Sequence, residues 1–500
     1  MEEIKILDEP VLNFRYGQEM IDPRDGLSIF GPFDTDMPSH PSSIIYGVIG
    51  TGIGLEKFKQ FTQILTSPVL TDMRKYDYKN WPHFPGFEAA YECRFPDTPA
   101  FAHKVDEERL SNEVRDYDAH KRASRLVEMY LEGFDIAAKR DENLGLMFCV
   151  VPDVIWKYCR PLSTIEEGTG ERVPAKERKL RRDGKDLFGS YEPEDYWRSV
   201  DFRRQLKARA MAYGIPIQII KESTLALRGG EDTGTSKDSP RSAVAWFLST
   251  AIYYKTGGKP WRLGTARDGV CYVGIVFRRS EVMSDTSKTA CCAAQMFLDT
   301  GDGVVFKGEF GPWYSPETKE FHLSAEMAEV LLAGVLTTYE KLGGKPIKEI
   351  FLHSRSPINQ EEYEGYLKAC STNVKLVGIQ VKRSWDELRL FRPGNKPVLR
   401  GTYLPVSDRK CYLWTSGFKP RLETYDGFDF PVPLGIDLQH GEAYLQQIAY
   451  DILGLTKLNY NTCRLGQSQP VTVGFSDKVG EILITNPTVK DCKPQFKFYI

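Results

Sequence analysis

Residues 200–221, VDFRRQLKARAMAYGIPIQIIK, constrain the chain more than any other stretch. The first half has helical character. Arg203 and Lys207 are four apart and share one face, with Arg209 on the flank. Gly214 ends the helix, and Ile215–Ile220 follows as a short buried strand interrupted only by the polar Gln218. A strand beside a cationic helix, with an amide inside its apolar run, describes a phosphate pocket. On pattern alone a solvated helix face is the more ordinary account of Arg203 and Lys207. A second stretch, YYKTGGKPW at 253–261, bears on the choice by adding Lys255 just before Gly257 and Gly258.

The chain has 500 residues, enough for roughly two to four domains. Apolar residues make up 41%, which supplies ordinary cores. The formal net charge of −2 gives no global basic field of the kind many nucleic-acid binders carry, although a local pocket needs none. The ten cysteines are scattered, with no C-x-x-C pair and no H-E-x-x-H or EF-hand spacing, so the pattern argues against a structural metal site. The N-terminus lacks a signal-peptide core, and no apolar run reaches the roughly 18 residues of a membrane span. A reducing cytoplasm and no membrane partner are the expectation.

Along the chain, Gly50, Gly52 and Gly54 fall short of the G-x-G-x-x-G spacing of a dinucleotide loop. Residues 53–66 read as helix, 67–105 as extended, and 118–141 as an amphipathic helix with Val127, Tyr130, Leu131 and Phe134 on one side. Leu146–Val151 is a buried-type strand. With the cationic helix and the strand after Gly214 it predicts a Rossmann-like α/β layer. The basic run KERKLRRDGKD (176–186) reads as a mobile solvated loop or, more sharply, as an arm along a nucleic-acid backbone. GGEDTGTSKDSPR (229–241) is a second loop without Walker spacing. From about 262 the pattern changes. Strands are expected at 269–279, 289–298 and 303–310, with a tight turn at 299–302. A helix capped by Ser324 runs to about Leu342 and ends at Gly343-Gly344. A strand at 347–353, a helix at 359–370 and a strand at 374–382 follow. Three strands, helix, strand, helix, strand is the order of the ribonuclease H fold.

On these residues the chain resembles the Argonaute family. The match is Arg203-x-x-x-Lys207, then Gly214-Ile215-Pro216-Ile217-Gln218, then Lys255 before Gly257-Gly258, where the family binds a guide 5′ end. Arg203 stands where an aromatic residue or histidine is usual. LTKLNYN (455–461), Pro470-Val471-Thr472 and Ser476-Asp477-Lys478 resemble the end of the PIWI domain. The resemblance implies an α/β chain with a Rossmann-like MID domain and N-terminal extension over 1–260, then a ribonuclease H-like PIWI domain over 261–500. It implies that Lys207, Gln218 and Lys255 hold a guide 5′-phosphate, that Arg203 stacks on or forks to the first nucleotide, and that the Ile500 carboxylate helps hold a Mg²⁺ there.

Cleaving relatives place one acid on the first PIWI strand and one after the fourth; here those positions carry Val276, Ser354 and Arg355, which implies no nuclease activity. His353 is then a strand-end or target-contacting residue. The phosphate helix begins too early for N and PAZ domains to precede it, so the resemblance is to short prokaryotic Argonautes. Such proteins use a guide RNA against complementary single-stranded DNA. They pair with an APAZ-containing effector, here most like the TIR-APAZ type that hydrolyses NAD, in a heterodimer that oligomerises in prokaryotic immunity. A sirtuin-like APAZ partner, an active guide-directed nuclease and a scaffold that binds no nucleic acid are the alternatives.

Overall fold

The computed structural model describes the chain except residues 1–2, 141–142, 162, 164, 166–172, 187–190, 231–232, 234, 280–289, 298–302, 343–344, 385–387, 426, 428 and 486–491. The turn expected at 299–302 and the Gly343-Gly344 helix stop lie outside the described residues.

The first half is built on parallel strands. After β1 (Lys5–Ile6) come β2 (Tyr46–Gly50), α1 (Gly52–Thr66), β3 (Phe101–Lys104), α2 (Ala119–Ala138), β4 (Leu146–Val151), α3 (Asp153–Tyr158), α4 (Ala175–Arg182), α5 (Phe202–Ala210), β5 (Ile217–Lys221) and α6 (Arg241–Lys255). The sheet order is β3-β2-β4-β5, all parallel. Strand alternation explains why β4 is apolar throughout. Leu146, Phe148 and Val150 pack in the core shared with Phe58 and Phe61 of α1, while Met147, Cys149 and Val151 pack with Leu126, Tyr130 and Phe134 of α2. Each residue of the strand is therefore buried on one layer or the other, and the Rossmann-like expectation holds.

The second half contains β6 (Val270–Arg279), β7 (Ala290–Phe297), β8 (Gly303–Gly311), α7 (Ala325–Lys341), β9 (Glu349–Ser354), α8 (Gln360–Ala369), β10 (Lys375–Arg383), β11 (Thr402–Ser407), β12 (Lys410–Trp414), β13 (Leu434–His440), α9 (Leu445–Leu455), α10 (Val471–Gly474) and α11 (Ser476–Thr485). One sheet runs β1-β11-β12-β13-β10-β9-β6-β7-β8. Strands β6, β7 and β8 form an antiparallel meander, and β9 and β10 join in parallel beside β6, the sheet order of the ribonuclease H fold. Ser324 caps α7 through the Met327 amide at 3.4 Å, as its position in the sequence predicts.

The halves interlock. Strand β1 pairs with β11, so the first residues complete the sheet made by the last. Buried Lys457 donates to Glu9 (3.0 Å), to the Pro10 carbonyl (2.7 Å) and to the Ile21 carbonyl (2.8 Å). Tyr254 of α6 stacks on Tyr460 with centroids 4.6 Å apart.

Two expectations are corrected. Phe87–Tyr91, inside the stretch read as extended, is a short helix. The basic run 176–186 is a loop only at its end: residues up to Arg182 belong to α4, and Arg181 turns inward to Asp118 (2.9 Å), Asp186 (3.1 Å) and Glu177. Its carboxylate partners offset the charge that the linear sequence leaves unbalanced. His353 lies one residue before the end of β9, as the strand-end reading has it, 1% exposed and hydrogen-bonded through Nδ1 to the Thr472 hydroxyl at 2.9 Å.

Candidate nucleic-acid interface

Helix α5 is positioned by Asp201, whose carboxylate accepts from the Arg204 amide at 3.0 Å. One turn in, Arg203 and Lys207 point to the same side, toward the end of β5. A 3₁₀ turn follows the helix, and Gly214 at φ 69° reverses the chain into β5. On β5, Ile217 and Ile219 face α2, which turns Gln218 to the other face, toward α6. There Lys255, the last residue of α6, donates to Gln218 Oε1 at 2.6 Å. Both following glycines are required. Gly257 sits at φ 104°, and a Cβ on Gly258 would lie 2.4 Å from the Tyr253 ring.

These side chains meet around a cavity of about 210 Å³. Arg160, Arg203, Lys207, Lys255 and Lys478 line it, and among the described residues no aspartate or glutamate does. Lys207 donates to the Ile500 main-chain oxygen and reaches the Tyr499 carbonyl at 3.4 Å. Ile500 is 2% exposed, so this end of the chain is packed into the pocket floor. The half-buried Arg203 makes no hydrogen bond or ion pair among the described residues.

Such crowding leaves a mark on the titrations. Burial, followed by the Arg203 charge, pushes the Lys255 ammonium down to about 7. Burial also drives Lys207 well below the lysine range, and Arg203, Lys255 and Lys478 add to it. Lys478 falls for the same two reasons, burial first and Arg203 second. A cluster of cations held together at such cost is a site preorganised for an anion.

The structure therefore brings together all four residues expected at the phosphate, with Ile500 beside them. It adds Lys478 from α11, Trp156 from α3 and Arg160 just after it, and Asn459 and Asn461 from the LTKLNYN stretch. Lys478 was visible in the sequence as part of a C-terminal motif, yet nothing local connects it to residue 207; only the docking of α11 on β6 and α5 does. Lys457, in the LTKLNYN stretch, faces away into the buried network with Glu9.

The positions expected to carry cleavage acids lie on the central sheet. Val276 of β6 is 1% exposed and packs against Gly480, and Ser354 ends β9, 3% exposed. Arg355 donates to the Val473 carbonyl at 2.9 Å. A Cβ on Gly274 would lie 2.1 Å from the Thr472 carbonyl oxygen, so α10 sits directly on this face. Burial holds the His353 imidazole neutral, down to about 3. Among the described residues no cluster of three or more His, Cys, Asp or Glu could hold a metal ion.

No protein-family model matches the chain, and no curated protein does. Solved structures do. The Argonaute of Clostridium butyricum, bound to a guide DNA with a 5′ deoxycytidine and a 19-mer target DNA, superposes with a TM-score of 0.62 at 16% identity, over 100% of this chain and 55% of that one. The fold is an Argonaute fold. Drosophila Piwi (TM-score 0.57, 14% identity, 99% and 56% covered) and A. aeolicus Argonaute (0.53, 16%, 99% and 54%) agree. The chain spans about half the length of these Argonaute-fold proteins. Among the described residues no helix is long and apolar enough to cross a membrane.

Proposed function

We propose that the chain is a guide-binding Argonaute without cleavage activity. The observation that carries this is the cavity that five cations line and, among the described residues, no acidic side chain. A terminal phosphate monoester carries close to two charges at neutral pH, and charge-assisted donors on separate elements are what hold it. Lys207, Lys255 and Lys478 donate to it, with the Gln218 amide as a neutral donor, and Arg203 forks onto it. The protein grips the backbone at one end and leaves sequence reading to base pairing. In a solved protein of this fold, a guide DNA and a target DNA are bound together. For this chain we favour a guide RNA and a single-stranded DNA target.

Lack of cleavage is a consequence of chemistry. Two metal ions need carboxylates near one another, and Val276, Ser354 and Arg355 supply none. At the phosphate a Mg²⁺ is a separate matter. Such an ion is usually held by one or two carboxylates together with substrate phosphate. The pocket offers the Ile500 carboxylate, while the Gln218 amide oxygen is already taken by Lys255, so its residues fit the ion only together with the phosphate. When bound, it would neutralise charge between phosphate and carboxylate.

The finer reading is a short prokaryotic Argonaute acting in the cytoplasm with an APAZ-containing effector. A TIR-APAZ protein that hydrolyses NAD is favoured, in a heterodimer that oligomerises on target recognition. The stretches LTKLNYN and ACCAAQMFLDTGDGVVFKGEFGPWY support that reading through their resemblance to such subunits.

The test compares binding of 5′-phosphorylated and 5′-hydroxyl RNA to the wild type and to Lys207→Ala/Lys255→Ala, with target DNA cleavage followed in the same tubes. A phosphate preference that the double variant abolishes, without cleavage, is expected. Equal binding throughout overturns the pocket, and Mg²⁺-dependent cleavage overturns the inactivity. NAD consumption by a co-expressed APAZ partner, on adding guide and target, tests the pathway.

A further inference from the structure

Asp34 is fully buried and lines no part of the cation pocket. It lies in the turn after the helix Pro23–Phe30, 219 residues before Tyr253 of α6. One of its carboxylate oxygens accepts from the Tyr253 hydroxyl at 2.5 Å, and the other from the Lys259 amide at 2.9 Å. His40 Nδ1 lies 2.9 Å from the same hydroxyl and 3.8 Å from the carboxylate. Beside it, the Phe33 amide donates to the Pro260 carbonyl at 3.1 Å. Among the described residues no Lys or Arg side chain pairs with Asp34.

A buried carboxylate is costly unless its hydrogen bonds are made. What these two bonds accomplish follows from where they fall. Tyr253 precedes Lys255 and Lys259 follows it, so one side chain ties the last turn of α6 to the chain beyond Gly258. Between the two ties, the Tyr253 carbonyl accepts from the Gly258 amide (3.0 Å) and the Thr256 hydroxyl (2.8 Å). Tyr254 is held separately, by its stack on Tyr460. Lys255 is the residue whose direction this turn fixes, and its ammonium enters the pocket. An aliphatic side chain at 34 reproduces neither bond. Asparagine reproduces both contacts, with its oxygen on the Lys259 amide and its NH₂ donating to the Tyr253 oxygen.

We propose that Asp34 is a positioning residue for the pocket, stapling the end of α6 so that Lys255 meets a terminal phosphate. This rests on the phosphate reading of the pocket, and the experiment separates the two. Fluorescence anisotropy compares 5′-phosphorylated and 5′-hydroxyl RNA of one sequence on the full chain, below the thermal midpoint of every variant. Asp34→Ala lowers the preference for the phosphorylated strand about tenfold and leaves the hydroxyl strand within about twofold, the order of one hydrogen bond to a charged group. Asp34→Asn keeps most of the preference. Tyr253→Phe, whose ring still packs on Tyr91, loses part of it. In a Lys255→Ala background Asp34→Ala lowers the preference no further, because two changes that act through one contact do not add. If Asp34→Ala does not fold, Tyr253→Phe in both backgrounds gives the same reading. Additive losses, or an equal loss on both strands, overturn the positioning role. If Lys255→Ala lowers the preference while Asp34→Ala and Tyr253→Phe leave it intact, the pocket stands and only the positioning falls. If Lys255→Ala and removal of the phosphate change nothing, the pocket itself falls and the positioning with it.

Discussion

Two polar regions of this molecule have opposite fillings. At the junction of α5, β5, α6 and α11, five cations surround a cavity of about 210 Å³. At the end of β6 and β9, the comparable polar groups are closed off: His353 is bonded to Thr472, Arg355 to the Val473 carbonyl, and Gly274 leaves just enough room for the α10 backbone. The first region keeps like charges together and empty space between them, which destabilises the chain alone. The second spends its polar groups on one another and packs tightly. Uncompensated charge beside a cavity is tolerated where a ligand completes it, and residues without that partner settle into ordinary packing.

The largest effect that would break the comparison is the loss of both lysines. Lys207→Ala/Lys255→Ala is expected to cut affinity for a 5′-phosphorylated strand by about 100-fold or more, since hydrogen bonds to charged groups are worth about 1.5–3 kcal/mol each. Lys207→Met should lose binding while its thermal midpoint holds or rises, because a buried ammonium depressed by its neighbours is replaced by an apolar chain. A large fall in the midpoint would show that Lys207 is there for the fold.

In the closed region, installing acids should damage the fold without creating an enzyme. Val276→Asp with Ser354→Asp buries two new charges and is expected to cost about 3–5 kcal/mol in urea unfolding, with no Mg²⁺-dependent cleavage of a matched target. Gly274→Ala is the gentler probe. Its methyl would meet the Thr472 carbonyl, an overpacking expected to cost about 1–3 kcal/mol. Wild-type stability for Gly274→Ala would mean that α10 is free to move off the sheet.

The pH dependence sharpens the first region further. With Lys255 titrating at about 7 in the empty pocket, its ammonium is present below that value and lost above it. A phosphate dianion raises the pKa again, so binding takes up protons above pH 7. The preference for 5′-phosphate over 5′-hydroxyl should fall about tenfold from pH 6.5 to 8.5, a range in which the phosphate is already mostly charged. Calorimetry in two buffers of different ionisation enthalpy reads the proton uptake directly; none would remove the charge crowding from the account. The smallest effect is expected at α4. Replacing exposed Arg178 and Lys179 by Gln should leave the phosphate preference unchanged and lower the salt slope by at most about one per lost phosphate contact.

Much of this was legible in the chain itself. Local periodicity marks β4, β5, β6 and α7 because alternation and helical spacing are properties of neighbouring residues. Gly214, Gly257 and Ser324 announce the turns and cap that the structure uses. Arg203, Lys207, Gln218 and Lys255 were readable as one site through their resemblance to the Argonaute phosphate motif, because the local pattern alone is met as well by a solvated helix face. What stayed hidden depends on contacts between distant parts. Nothing around 178–182 shows that Arg181 points inward, since Asp118, its buried partner, is 63 residues away. Nothing near the N-terminus shows that Lys5–Ile6 completes a sheet with Thr402–Ser407. Lys478 and Trp156 reach the pocket only because α11 docks against α5 and because α3 leaves β4 beside it. Short-range sequence determines which elements form and which faces they offer; the partners that neutralise, cover or leave open those faces are chosen by packing across the whole chain.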